Sequence, residues 1–157
     1  CDEAMRAGLA GIVATNTTIS RDGLATPAAE VEGIGAGGLS GHPLFPRSLS
    51  VVKRVRARVG PAALVIGVGG IRDTETALAM LRAGADVVQL YTSFVYEGPF
   101  LPRSIKRGLL KAMDREGAHS LSDLVHSTTP HTHASAGSPE SKANGKTNGV
   151  PPARVVS

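Results

Sequence analysis

Aromatic residues are scarce in this chain. They make up 3% of its 157 residues, and tryptophan is absent. Proteins that bind single-stranded nucleic acid stack bases on aromatic side chains, and no nucleic-acid-binding motif is present either, so we expect no nucleic-acid partner. The core must be built from Val, Leu, Ile and Ala, which is typical of buried parallel strands. The single cysteine excludes an internal disulfide framework and is typical of a reducing compartment.

Long apolar runs are also lacking. None approaches the roughly 20 residues that span a bilayer, and no signal peptide is visible. The chain opens without Met, in CDEAMRAGLAG, which has the pattern of the middle of a helix, so we expect further residues upstream. The alternative, that Cys1 is the lipid-bearing residue of a processed lipoprotein, lacks the polar tether that would follow it.

The formal net charge is +4, and much of it lies in residues 53–58 and 103–111. The simpler interpretation is that these side chains form solvated helix faces. Attraction to phosphate or to an anionic membrane surface is the alternative.

Composition divides the chain into residues 1–118 and residues 119–157. From about residue 127 onward the sequence is Ser, Thr, Pro, Gly, Asn and Lys with little apolar content. Such a segment buries too little surface to offset its ordering entropy, so we predict a disordered tail. His131 and His133 lie in it and His126 just before it, without cysteine or carboxylate at a useful spacing, so we predict no metal site.

Short apolar runs at residues 11–15, 63–68 and 86–91 predict buried strands, covered on both faces. Between and after them lie helical patterns with start and stop signals, such as Asp73 as an N-cap and Gly60 and Gly84 as stops. Helices joining short apolar strands indicate parallel crossovers. The class is therefore α/β, either a doubly wound sheet or a (β/α)8 barrel.

Polar and glycine-rich residues follow each predicted strand, at 15–18, 67–70 and 91–93. Ligands of parallel α/β folds bind at the carboxyl ends of the strands. In GVGG the glycines let backbone amides approach an anion, and the free N–H groups of a helix starting near Thr74 would point the same way. The alternative is a tight turn without a ligand. The spacing excludes the dinucleotide fingerprint.

A long segment, residues 20–47, separates the first strand from the next helix and is rich in glycine. We predict an ordered loop near a ligand, because loops of this length in compact domains are usually functional or disordered.

The motifs together resemble a known family. ATNTTISR (14–21), GGLSGHPL (37–44), IGVGGI (66–71), AGADVVQLYTS (83–93) and EGP (97–99) are similar in order and spacing to dihydroorotate dehydrogenases. ATNTT and GGLSG resemble the quinone-linked class 2 enzymes more than the soluble class 1 enzymes. The resemblance covers about residues 1–118 and implies the C-terminal part of a (β/α)8 TIM barrel, with about three strand–helix units. On its own such a part is expected to be inactive.

The resemblance also implies roles for residues at the matching positions. Asn16 and Thr17 match substrate-binding residues. The positions that match FMN contacts are Thr15, Gly41, Gly70, Tyr91 and Thr92. The serine base and a flavin-contacting lysine match nothing in this stretch, so neither Ser40 nor Ser93 is assigned that role. From the residues alone, two alternatives stay open: that Asn16 is a turn residue, and that Tyr91 packs in the core against the last helix.

The activity implied is oxidation of dihydroorotate to orotate in de novo pyrimidine (UMP) biosynthesis, with FMN as cofactor and a quinone as electron acceptor. The resemblance further implies peripheral association with the cytoplasmic side of the cell membrane, through an N-terminal region outside this stretch. The alternatives are another FMN- or phosphate-binding barrel oxidoreductase and a non-catalytic binding or assembly fragment.

Overall fold

The structure, a computed structural model, describes residues 1–126. Three parallel strands form one sheet in the order β1 (Gly11–Ala14), β2 (Leu64–Val68) and β3 (Val87–Gln89). The register pairs Val13 with Ile66, and Ile66 with Val87. The three predicted strands are confirmed, although β3 is shorter than the apolar run at 86–91 that predicted it.

The helices alternate with these strands as the crossover pattern predicts. They are α1 (Asp2–Arg6), α2 (Ala28–Ile34), α3 (Phe45–Val59), α4 (Thr74–Arg82), α5 (Thr92–Glu97), α6 (Leu101–Glu116) and α7 (Leu121–His126). The stop at Gly60 is confirmed, and this glycine has a φ of 65°. Asp73 caps α4 as predicted.

The segment 20–47 is more structured than the predicted loop. It contains α2, a 3-10 turn at His42–Leu44 and the beginning of α3 at Phe45. None of the residues of α2 is buried, so this helix has no apolar face by which a sequence pattern could have revealed it. Pro46 in the first turn of α3 suits a helix start, because its missing N–H would have no partner there.

The hydrophobic core lies on one face of the sheet. Ala14 and Val65 point to this face and pack with side chains of α3, α4 and α6, which are Val52, Val55, Ala77, Met80, Leu101 and Ile105. Side chains alternate across a strand, so their neighbours point to the opposite face. There Val13 is 58% exposed, Leu64 44% and Val87 47%. The prediction of burial on both faces therefore fails for residues 1–126, because their helices cover one face only.

The folded region continues beyond the predicted boundary at residue 118. In α7, Leu124 is fully buried and packs with Leu78 and Ala112. Ser120 donates a hydrogen bond through its backbone N–H to the Asp123 carboxylate (2.8 Å), which fixes the start of the helix. A helix of only six residues is too short to show a clear apolar period next to a segment dominated by Ser, Thr and Pro. Residues 127–157, including His131 and His133, lie outside the described residues.

Candidate functional site

A cleft of about 140 Å³ opens where the three strands end. Every residue predicted for the site lines it: Thr15, Asn16, Thr17, Gly41, Gly70, Tyr91 and Thr92. Ser40, Leu44, Val68, Gly69, Ile71, Gln89 and Ser93 complete the lining. Of these, Gly69, in GVGG, had been singled out from the sequence for anion binding. A typical small-molecule site holds roughly 300–1,000 Å³. The cleft formed by residues 1–126 is therefore smaller than a typical small-molecule site.

The segment after β1 presents the predicted substrate residues. The Thr15 backbone N–H donates to the Val68 carbonyl (2.9 Å), which places the segment beside the end of β2. The Asn16 side-chain oxygen accepts from the Thr17 backbone N–H at 2.8 Å, a local turn bond. The Thr17 hydroxyl donates a second, longer bond to the same oxygen (3.5 Å), so within residues 1–126 it is the Asn16 NH2 group that remains for a ligand. The peptide bond between Ala14 and Thr15 is cis.

Ser48 of α3 contacts the segment after β1 from the core side. It is the one buried polar residue among residues 1–126, and its hydroxyl lies 3.1 Å from the hydroxyl of Thr15. Sequence reasoning missed this residue. The available signal was its position four residues before Val52 on the apolar face of the helix, where a polar side chain needs a partner.

The glycine turn after β2 packs directly on the start of α3. Gly69 and Gly70 have φ values of 120° and 76°. A Cβ added to Gly70 would lie 2.6 Å from the Cβ of Phe45, so no side chain fits there. Within residues 1–126, no acceptor is paired with the backbone N–H groups of Gly69 and Gly70. The turn can therefore offer two amides to an anion.

The first turn of α4, next to this glycine turn, is capped by the side chain of Asp73. The Asp73 carboxylate accepts from the Thr76 backbone N–H (2.8 Å) and hydroxyl (2.7 Å). Burial raises the pKa of Asp73, but the hydrogen bonds from Thr76 and the charge of Arg72 outweigh burial, and the net pKa lies below its ordinary value. The Asp73 carboxylate satisfies one of the free amides of this helix end and places a negative charge there, which disfavours a phosphate, so a contribution of α4 to the anion site stays a prediction.

The segment after β3 meets the glycine-rich segment across the cleft. The Thr92 hydroxyl donates to the Ser40 hydroxyl at 3.0 Å. A Cβ on Gly41, whose φ is 81°, would lie 3.4 Å from the Thr92 methyl group. Tyr91 is 75% exposed among the described residues, so the alternative that it packs in the core is wrong.

No group of three or more His, Cys, Asp or Glu side chains in residues 1–126 is placed to hold a metal ion. No helix in this range has the length and apolar character needed to cross a membrane.

Comparison with known proteins gives consistent matches. The family model described as Dihydroorotate dehydrogenase matches residues 1–113. A protein of Thermobifida fusca (strain YX), named dihydroorotate dehydrogenase (quinone), is 53% identical over 124 residues, which are 79% of this chain and 33% of that protein. A protein of the same name from Rhodococcus erythropolis (strain PR4 / NBRC 100887) is 52% identical over 129 residues, 82% of this chain and 36% of that one. The chain therefore spans about a third of the length of these relatives.

Two crystal structures of the dihydroorotate dehydrogenase of Eimeria tenella are similar to this fold. The ligand-free structure has a TM-score of 0.68 at 32% identity and covers 80% of this chain and 34% of that one. The complex of that protein with ferulenol has a TM-score of 0.67 at 34% identity, over 79% and 32% of the two chains. The three parallel strands and their helices correspond to part of the TIM barrel of these enzymes.

Proposed function

The chain belongs to the dihydroorotate dehydrogenase family, and from this premise we propose that the protein oxidises (S)-dihydroorotate to orotate in pyrimidine biosynthesis, with FMN as cofactor and a quinone as electron acceptor. The observation that carries the proposal is the convergence of three strand ends on one cleft. An amide side chain, two hydroxyl-bearing segments and a glycine turn with available amides meet there.

The residues present fit a flavin phosphate. The amides of Gly69 and Gly70 face no acceptor within residues 1–126, and the Thr92 hydroxyl lies across the cleft from this turn. Backbone N–H groups in a turn with positive φ form a concave site for an anion. When bound, the flavin supplies the ring that accepts hydride. In the proposal, Gly41, Gly70, Tyr91 and Thr92 hold the cofactor, and Thr15 contacts it beside the substrate.

The residues also fit a pyrimidine substrate. The Asn16 amide offers two N–H donors, and the Thr17 hydroxyl, which donates to the Asn16 oxygen, keeps lone pairs that can accept. The ring of dihydroorotate carries both carbonyl and N–H groups, so these side chains can bind and orient it. The catalytic base is proposed to lie outside this chain, since no cleft residue is assigned to take a proton.

The electron acceptor is proposed on the names of the relatives, which specify the quinone type. Peripheral association with the cytoplasmic face of the membrane is part of the same proposal, because quinones reside in the bilayer. The second candidate is another flavin-dependent barrel oxidoreductase. The same glycine turn favours it, since a phosphate site alone does not specify the substrate.

The test uses the full-length protein. We expect it to purify with FMN, to be reduced anaerobically by dihydroorotate, and to reduce a ubiquinone analogue. Asn16→Ala should weaken orotate binding at least tenfold, while Asn144→Ala, the same substitution beyond residue 126, should not. Bound flavin without reduction by dihydroorotate would favour the second candidate, and absence of flavin would refute both.

The 157-residue chain alone is expected to behave differently. Val13, Leu64 and Val87 leave an apolar sheet face exposed, and the outer edges of β1 and β3 have no strand partner within residues 1–126. Exposed strand edges promote association. We expect this polypeptide to self-associate in analytical ultracentrifugation and to show no dihydroorotate oxidation. A monomeric, active preparation would contradict this expectation.

A further inference from the structure

The chain leaves the cleft after Thr17 and returns to it at Ser40, so that residues 18–39 form a loop. Residues 18–21 are its outgoing arm and residues 37–39 its returning arm, and hydrogen bonds join the two arms next to the cleft. The Thr18 backbone N–H donates to the Leu39 carbonyl (3.1 Å), and the Leu39 N–H donates to the Thr18 carbonyl (2.7 Å). This reciprocal antiparallel pair stands immediately beside the predicted substrate residue Thr17.

Arg21 adds a second link between the arms. Its guanidinium donates to the carbonyls of Thr18 (3.2 Å) and Ser20 (3.4 Å) on its own arm and to the carbonyl of Gly37 on the other. A planar guanidinium with five donors can bind three carbonyls at once, and a lysine ammonium cannot reproduce that geometry.

Gly38 brings the arms into direct contact. A Cβ added to Gly38 would lie 2.6 Å from the Cβ of Thr17 and closer still to its hydroxyl oxygen. The φ of Gly38 lies outside the left-handed region, so the glycine is required for space alone. A Cβ on the neighbouring Gly37 would meet nothing within 4 Å, and its φ is likewise ordinary.

We propose that Arg21 and Gly38 are positioning residues that hold Thr17 in its substrate-binding place. This inference rests on the proposed function. The Thr18–Leu39 backbone pair and the Arg21 guanidinium hold the two arms of the loop together next to the cleft. Because Gly38 has no side chain, Thr17 can lie in direct contact with the returning arm. The returning arm is fixed separately by the bond between Ser40 and Thr92, so a change at Gly38 acts on substrate binding and leaves the cofactor in place.

The test compares Gly38→Ala with Gly37→Ala in the full-length protein purified with its flavin. Orotate affinity is measured from the change in flavin absorbance, and flavin content from the ratio of bound flavin to protein. Gly38→Ala should weaken orotate binding at least tenfold and raise KM for dihydroorotate, with flavin content and KM for the quinone unchanged. Gly37→Ala should remain within about twofold of wild type, because the added methyl group meets no neighbour and such surface changes have small effects.

Arg21→Lys tests the same proposal independently and keeps it testable if Gly38→Ala fails to fold. This substitution should weaken orotate binding with flavin content unchanged, because the lysine keeps the charge and loses the hydrogen bonds between the two arms. Wild-type orotate affinity in Gly38→Ala or Arg21→Lys, equal losses in both glycine variants, or flavin loss from Gly38→Ala would each overturn the inference. A wild-type protein that binds flavin but no orotate would instead refute the proposed function.

Discussion

The hydroxyl of Ser48 lies 3.1 Å from the hydroxyl of Thr15, beneath the cleft. Thr15 donates its only hydroxyl hydrogen to the Asn16 carbonyl (3.0 Å), so Ser48 is the donor in the pair. Ser48 is fully buried on α3, and Thr15 follows β1 directly. One hydrogen bond thus joins the helix to the strand end from which the candidate substrate residues project.

Ser48→Ala is expected to lower the stability of the full-length protein by about 1 kcal/mol, the usual cost of losing one internal hydrogen bond. Ser48→Val should cost more, because the space beside the Ser48 Cβ is occupied by Gly69. The control is Ser50→Ala, which changes an exposed serine of the same helix. Urea unfolding midpoints provide the measurement, and equal midpoints for Ser48→Ala and Ser50→Ala would contradict this role for Ser48.

Gly70→Ala is expected to reduce both stability and retained flavin. Gly70 and Gly60 both have positive φ values, of 76° and 65°. An alanine at either position bears the strain of a positive φ, roughly 1–3 kcal/mol. At Gly70 the new Cβ also collides with Phe45, whereas at Gly60 it meets nothing within 4 Å.

The comparison of these two glycine variants separates strain from collision. Gly60→Ala should lower the unfolding midpoint modestly and keep a full complement of flavin. Gly70→Ala should lower it further and lose flavin during gel filtration, because the turn that offers its amides must move away from α3. Full flavin retention in Gly70→Ala would show that this turn does not hold the cofactor.

The location of the site was predictable for a simple geometric reason. The carboxyl ends of parallel strands meet at one edge, so Thr15, Gly70 and Thr92 converge whatever the details of the intervening chain. The supports of the site were not predictable in the same way. The pairing of Thr18 with Leu39 joins residues far apart in sequence, and α2 has no buried side chain to give it a periodic pattern.

The role of α4 shows the same limit. Asp73 was correctly predicted as its N-cap, yet the glycine turn next to it was expected to combine with free amides of that helix. The carboxylate satisfies the Thr76 N–H, one of the free donors of that helix end, and its negative charge disfavours a phosphate there. Local sequence signals predicted both features, and the distances show that the cap is formed.

Asp73→Ala should destabilise the protein by about 1 kcal/mol at neutral pH, as for other N-cap substitutions. The pKa of Asp73 is lowered from its ordinary 3.8 in the folded state. A depressed carboxyl pKa contributes stability that is fully present above the unfolded value and is lost as the pH falls through the folded one. The difference between wild type and Asp73→Ala should therefore shrink as the pH is lowered from about 7 towards 3 and below.

Glu75→Ala is the control for Asp73, because Glu75 is an exposed acid in the same helical turn. At neutral pH the urea unfolding midpoint of Glu75→Ala should lie closer to that of wild type than the midpoint of Asp73→Ala does. Urea unfolding across this pH series gives the measurement. A difference between wild type and Asp73→Ala that stays constant down to acid pH would mean that the carboxylate charge is not what stabilises α4.

Arg56 binds three segments together at the end of the sheet opposite the cleft. From α3, its Nε donates to the Gly84 carbonyl (2.8 Å) and its Nη1 to the carbonyls of Gly60 (2.5 Å) and Ala63 (3.0 Å). It also pairs with Asp86, whose carboxylate accepts from the Val65 backbone N–H at 2.7 Å. The Arg56 side chain is only 21% exposed, so these bonds are sheltered from water.

Arg56→Lys should therefore lower stability by about 2 kcal/mol, since a lysine cannot reach these carbonyls with a planar fork. The matched control is Arg58→Lys on the same helix, where the arginine pairs with Asp2 in an exposed position and adds little to stability. Because the amino ends of barrel strands serve stability and the carboxyl ends serve chemistry, orotate affinity and flavin content should be unchanged in both variants. Equal unfolding midpoints for the two lysine variants, or weaker orotate binding in Arg56→Lys, would contradict this division between the two ends of the sheet.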